Sequence, residues 1–337
     1  MDGTGESLDD LLRLAVERGA SDVHLKVPAP PLARVHGELV RLGDLPRLTP
    51  ADAEALLAAM LDGLPHPAKR RELAARGEVA FSYAHPGLGR FRVSAYRQRG
   101  SLAIVLRPVL FEAPRLEPLG LPAELGELTG APDGLVLVCG PPGSGVTTTV
   151  AALVDRVNDG PSRSVITVED PVEVLHADRE CAISQREVGL DTGSFAEGLA
   201  GVLRHDPDVV VVGALPDLAT TELALAAAAG ALVVAATTAA DPVDAVRRLV
   251  SPAPAPRRAQ LRGALASAAR AVVFQRLVPR ADGPGRRALV EVVWGGRAVH
   301  RLAAAEAGYA GPAEPLDEVA SVRPAAIAAG SPAATSR

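Results

Sequence analysis

Polar and apolar positions along the chain fall into two rhythms that change near residue 112. In SLDDLLRLAVERG, Leu8, Leu11, Leu12, Ala15 and Val16 form one apolar stripe at helical spacing, and Gly19 closes the stretch. Ser7 stands at the cap position with Asp10 three residues on. TPADAEALLAAML predicts a second helix, with Thr49 as cap and Pro50 at the first helical position, where a missing amide costs nothing. Leu32 to Leu42, FSYAHPGLGRFRVSAYRQRG and SLAIVLRPV alternate and are punctuated by glycine. That pattern predicts an antiparallel sheet with helices against it, an α+β domain over residues 1–112.

A Pro-rich joint, 113–122, precedes the second rhythm. From Leu135 onward, LVLVC, SVITVE, VVVVG and ALVVAAT are apolar without alternation, as strands covered on both faces of a parallel sheet must be. Residues 123–306 therefore read as an α/β nucleotide-fold domain. Asn158, Asp159, Gly160 and Pro161 end the helix that follows the first of these strands. Residues 307–337 hold few large apolar residues and are expected to be a disordered tail.

Composition narrows the class. A chain of 337 residues accommodates two cores, and its apolar runs stop well short of the ~20 residues a bilayer span needs. The acidic start, MDGTGESLDD, lacks the basic leader and apolar stretch of a secretory signal, so a cytoplasmic protein is expected. A net charge of -5 gives no general attraction to nucleic acid, and none is expected as a partner. Cys139 and Cys181 stand far apart in unlike contexts and read as small buried hydrophobes. The histidines, among them His24, His36, His85, His176 and His205, show no metal-ligand spacing.

The stretch GPPGSGVTTTV, 140–150, meets the phosphate-loop pattern G-x-x-x-x-G-K-[ST] at Gly140, Gly145 and Thr147, with Val146 where lysine belongs. It lies between an apolar strand and a helix, the context that makes such a match credible. Amides from Gly143 to Thr148 can form a phosphate-sized nest, and the Thr147 hydroxyl stands where it would ligate Mg²⁺. Without the lysine, the stretch reads equally well as a tight strand-to-helix turn.

ASDVHLKVPAPPLARVHGELVRL, GLGRFRVSAYRQRGSLAIVLRPV, GLVLVCGPPGSGVTTT, ITVEDPVEVLH, SQREVG, LRHDPDVVVVG and QRLVPR occur in order from about residue 7 to about residue 306. Together they resemble the type IV pilus retraction ATPases of the type II/IV secretion ATPase family, which drive twitching motility. The resemblance implies a RecA-like P-loop domain behind a smaller N-terminal α+β domain of PAS type, a hexameric ring, and ATP with Mg²⁺ as cofactors. It places phosphate cradling on Gly140, Gly143, Ser144, Gly145 and Thr147, with Val146 and Thr148 beside them. Glu169 and Asp170 would order the metal and the attacking water, with Thr147 and Glu169 as metal ligands. Glu173 is either a third catalytic acid or a salt-bridge partner. Arg92, Arg99 and Arg107 match arginines that the family presents across a subunit boundary, against the alternative of solvated surface pairs. The four-cysteine zinc insert and longer N-terminal region of the pilus assembly and secretion ATPases do not occur in this sequence.

Departures from the family concentrate at the chemistry. Val146 replaces the lysine; Ala214 and Pro216 stand where the second-strand glutamate and a following arginine belong; Ala231 and Thr238 stand at two histidine positions. The retraction signature A-I-R-N-L-I-R-E has become AVHRLAAAE from Ala298. Losing one charged phosphate contact costs roughly 1.5–3 kcal/mol of binding, whereas losing a preorganised transition-state contact costs on the order of 10²–10³ in rate. The expectation is a hydrolysis-deficient pseudoenzyme, an accessory or regulatory subunit of the retraction machinery that holds ATP and Mg²⁺ weakly or not at all. It would form a homo-hexamer or a mixed ring with an active paralogue, and would reach the inner face of the cytoplasmic membrane only through a pilus platform protein. The alternatives are an active motor and a diverged duplicate without a role.

Overall fold

The computed structural model describes residues 8–35, 38–62, 68–109, 113–280 and 286–304. Its contacts divide the chain into two units, one of residues 1–112 with 171–175, the other of 113–170 with 176–337. Ser7, His36 and the stretch 307–337 lie outside the described residues.

The first unit comprises α1 (Leu8–Glu17), β1 (Asp22–Lys26), β2 (Leu32–Val35), β3 (Glu38–Arg41), α2 (Pro50–Asp62), α3 (Ala68–Arg76), β4 (Glu78–His85), β5 (Gly89–Gln98) and β6 (Ser101–Pro108). The strands make one antiparallel sheet in the order β3-β2-β1-β6-β5-β4. Alternate strand residues such as Val23, Leu25, Phe91, Val93 and Ile104 meet the apolar stripes of α1 and α2 in a single core. At the start of α2, Thr49 and Asp52 cap reciprocally: the Asp52 amide donates to Thr49 Oγ1 at 3.2 Å, and the Thr49 amide donates to Asp52 Oδ2 at 2.8 Å. The strand-like stretch Leu32 to Leu42 contains two strands, β2 and β3, paired antiparallel.

In the second unit, a 3₁₀ turn (Glu117–Leu119) and α4 (Glu124–Leu128) lead into β7 (Gly134–Gly140), α5 (Val146–Asn158), β8 (Ser164–Glu169) and β9 (Ala182–Glu187). Then follow α6 (Phe195–Val202), β10 (Val209–Val212), α7 (Leu218–Ala227), β11 (Leu232–Thr238), α8 (Pro242–Val250) and α9 (Ala255–Ala268). The described part closes with β12 (Ala269–Pro279), β13 (Arg286–Trp294) and α10 (Gly295–Ala304). The sheet order is β13-β12-β7-β11-β10-β8-β9, parallel throughout except for the β13 edge. Each central strand feeds two cores. Leu135, Leu137 and Cys139 of β7 pack with α6 to α10, while Val136 and Val138 pack with α5. The apolar runs do not alternate because neither face of the sheet meets water. Leu116 of the Pro-rich joint is itself buried in the α5-side core.

Polar groups brace the ends. The Asn158 side chain donates to the Ala177 carbonyl and accepts from the amides of Arg179 and Cys181, tying the end of α5 to the segment before β9. Asp244 of α8 is buried, which alone would raise its carboxyl. Hydrogen bonds from the Ala240 amide, Arg247 and Arg248 overcome that and hold it down to about 2. Asp244→Asn should cost about 1–3 kcal/mol of stability near neutral pH. A carboxyl depressed in the fold stabilises above its ordinary value of 3.8 and loses that contribution as pH falls toward about 2. Thermal unfolding should therefore show a gap between parent and variant that is full at pH 6 and closes over this acid interval.

Candidate functional site

The turn after β7 is shaped by two glycines that no other residue replaces without strain. Gly143 and Gly145 have φ of 76° and 85°, in the left-handed region, and Gly145 is the residue from which α5 starts. At Gly140 the limit is space rather than φ, because an added Cβ would lie 2.2 Å from the Gln275 carbonyl oxygen. The backbone of β7 thus ends pressed between β12 and β11, where the Ala239 amide donates to the Gly140 carbonyl at 3.0 Å.

Within the turn, the Ser144 amide donates back to the Pro141 carbonyl at 3.1 Å, so it does not serve the nest expected over residues 143–148. The Ser144 hydroxyl is buried and has no hydrogen-bond partner among the described residues. Amides 146–148 open α5 and have no intrahelical acceptor, while the side chains of Thr147 and Thr148 are exposed. Left-handed glycines, a buried unpaired hydroxyl and free helix-start amides make an anion cradle, with the positive end of the α5 dipole behind it. These residues fit a phosphate. The Val146 side chain contributes nothing to it and packs instead, half-buried, against the core on the α5 side. The chain's lysines are Lys26 and Lys69, both in the first unit, so the second unit carries no lysine to take over.

Sequence reasoning passed over the residue that holds this turn. Gln275 of β12 is buried; its Nε2 donates to the Ser144 carbonyl at 2.7 Å and its Oε1 accepts from the Thr149 hydroxyl at 2.7 Å. A Cβ on Gly145 would come within 2.9 Å of that same Nε2. The signal available beforehand was a glutamine inside an apolar strand, in QRLVPR.

Glu169 ends β8 and is half-buried; its Oε1 accepts from the Thr167 hydroxyl at 2.6 Å and from Gln185 Nε2 at 3.1 Å. Gln185 Oε1 in turn accepts the His176 amide at 2.9 Å. Burial holds the His176 imidazole below its ordinary range, partly offset by Asp155. Asp170 is exposed, and Glu173 pairs with Arg92 at 3.5 Å. Between β7 and β8 lie β11 and β10, so at ~4.8 Å per strand the loop strand and the Glu169 strand end on the order of 14 Å apart. Next to Glu169 stands the end of β10: the Gly213 amide donates to the Val168 carbonyl, and a Cβ there would lie 3.2 Å from Glu169 Cα. Ala214 follows, half-buried against the α6-side core, and Ala231 is buried in that core; Thr238 is exposed beside Gly140. Burial, then Glu291, Asp241 and Asp244, push the Cys139 thiol up, so it is no nucleophile. Among the described residues no group of three His, Cys, Asp or Glu could hold a metal ion.

The three arginines do not converge. Arg92 and Arg107 are directly opposed across β5 and β6, a like-charge pairing relieved by Glu173 on one and by Asp22, 2.8 Å away, on the other. Arg99, with φ of 48°, forms with Gly100 the two-residue turn between β5 and β6, closed by Gln98 and Ser101. Seven residues of extended strand separate it from Arg92, roughly 23 Å.

A twisted parallel sheet with a glycine turn between a central strand and a helix, and an acid at the end of a neighbouring strand, is the RecA-like P-loop architecture. Residues 91–321 match the family described as Type II/IV secretion system protein, and the chain belongs to that family. It is 36% identical over 296 residues to the "Type IV pilus retractation ATPase PilT" of Pseudomonas aeruginosa, covering 88% of this chain and 84% of that one. To the "Type IV pilus ATPase PilU" of the same organism it is 37% identical, covering 85% and 74%. Among solved structures, the pilus retraction motor PilT with bound ADP superposes with a TM-score of 0.80 at 38% identity, covering 88% of this chain and 86% of that one. The Legionella pneumophila ATPase DotB gives 0.78 at 26%, covering 90% and 85%. The chain is thus a PilT/PilU-like member of the type IV pilus ATPase family.

The two loop glycines should separate experimentally. Gly140→Ala drives a methyl into the Gln275 carbonyl and should cost more than about 3 kcal/mol or block folding. Gly143→Ala meets no atom within 4 Å and should cost only the left-handed strain, about 1–2 kcal/mol, in urea denaturation.

Proposed function

We propose that this chain is a hydrolysis-deficient accessory or regulatory subunit of a type IV pilus retraction machine that retains a weak nucleotide site. The observation that carries the reading is a preserved cradle whose charged groups have been replaced by packing: Val146 lies on the core, and Ala214 stands beside Glu169 without a carboxylate. Gly140, Gly143, Ser144, Gly145, Thr147 and Thr148 would hold the phosphates, and the Thr147 hydroxyl would take Mg²⁺. Glu169, at the end of β8, would order the metal and its attacking water. Bound ATP would supply a phosphoanhydride; what this chain's residues supply is orientation, through backbone amides and through a carboxylate fixed by Thr167 and Gln185.

With no lysine in the second unit, the groups left to neutralise phosphate charge are arginines. Arg92 is tethered to Glu173 by an exposed ion pair worth about 1 kcal/mol or less, so a stronger anion releases it at little cost, whereas Arg107 is held by the buried Asp22 and is the more costly of the two to free. That is the physical case for a ring, homo-hexameric or mixed with an active paralogue, in which one subunit's arginines serve a neighbour's phosphates. The site would sit in the cytoplasm and reach the membrane through a pilus platform protein; no helix among the described residues is long and apolar enough to cross a membrane. One observation favours the second reading, an active motor: Glu169 keeps both of its positioning partners.

Phosphate release from Mg-ATP, measured at ring-forming concentration against a Glu169→Gln control, separates the two. The expected result is no turnover above the control, with Val146→Lys combined with Ala214→Glu raising it at least tenfold. Turnover in the parent that the control abolishes would make the chain a motor and overturn the accessory reading.

A further inference from the structure

We infer that Gln275 is the positioning residue of the phosphate loop: by gripping the Ser144 carbonyl and the Thr149 hydroxyl from the neighbouring strand, it holds the loop in its anion-accepting shape. The inference rests on the nucleotide reading above and adds what keeps that site formed in a chain without the loop lysine.

Three observations converge on this side chain. Gln275 is 2% exposed, so its amide has no water to exchange with, and both of its hydrogen bonds run to the loop and the first turn of α5. A buried amide left without its partners is costly, which makes the loop and the amide mutually dependent. Two of the loop's glycines touch this residue: Gly140 admits its backbone oxygen, and Gly145 admits its Nε2. The Gln275 bond to the Ser144 carbonyl also fixes the residue whose hydroxyl is buried without a partner, so the group still available to an anion is held by the grip on its own peptide.

The grip has two halves with different chemistry. At Ser144 the glutamine donates to a carbonyl; at Thr149 it accepts from a hydroxyl. Glutamate in its place would keep the acceptor and set a carboxylate against the Ser144 oxygen, whereas its protonated form could donate again. Burial raises a carboxyl's pKa, bringing that protonation within reach of mildly acid pH.

The test compares the full-length parent with Gln275→Leu, Gln275→Glu and Thr149→Val, using amide hydrogen exchange without nucleotide and ADP binding by calorimetry. Expected are faster exchange confined to residues 140–149 in Gln275→Leu, with the rest of the second sheet as in the parent, and at least tenfold weaker ADP binding. Thr149→Val, which leaves the Ser144 bond in place, should lose less. Gln275→Glu should match Gln275→Leu at pH 8 and recover part of the parent's ADP affinity near pH 5. Unchanged exchange in the loop, or faster loop exchange with ADP affinity equal to the parent's, would overturn the inference. Acceleration throughout the sheet in both Gln275 variants, without recovery of Gln275→Glu in acid, would reduce the residue to a core brace and overturn it as well. A parent that does not bind ADP while its loop exchange responds as described would leave the grip standing and overturn the nucleotide reading alone.

Discussion

The closeness of β7 to β12 is the constraint from which the site follows. At Gly140 there is no room for a β-carbon against the Gln275 carbonyl, so the strand must end in glycine, and the chain must turn at once. On the opposite edge β11 holds the same residue through the Ala239 amide. A strand clamped on both edges and packed on both faces cannot shift its end. The first turn of α5 is therefore delivered to a fixed place, with its unpaired amides pointing where the strand leaves off.

What has changed around this frame is electrostatic rather than geometric. Valine at 146 belongs to the α5-side core, and alanines at 214 and 231 belong to the other. Each substitution removes a group that would have to be kept solvated or paired in a crowded site, and each adds or keeps apolar contact. Burial energy accrues per atom, whereas transition-state stabilisation depends on a few charges at fixed positions. A cradle made from backbone survives such drift, since its donors are peptide amides that no side-chain substitution removes.

The parallel sheet was legible because its strands are unalternating apolar runs of five to seven residues closed by turn residues, and the first two helices because their caps and stripes are local signals. Less visible were β9 and β13, whose residues are half-exposed and mixed in polarity, as edge strands are. α3 carries the sequence AKRRELAAR, too polar to show a stripe. The loop was plain as a motif, but its support was not. Gln275 meets Thr149 and Ser144 across 126 and 131 residues of chain, and a single glutamine in a strand carries no sign of which distant backbone it serves. Glu169 was readable from its acidic box, while Thr167 and Gln185, which orient it, become meaningful once β8 and β9 are known to pair.

The distribution of lysine has a practical side. Apart from the α-amino group, the primary amines of the whole chain are those of Lys26, exposed at the end of β1, and Lys69, paired with Glu72 on α3. Acylating reagents and amine-directed cross-linkers therefore report from the first unit and leave the second chemically silent. In a mixed ring that asymmetry is a natural label: an affinity reagent that captures the loop lysine of an ordinary P-loop subunit would tag the neighbours and pass this one by.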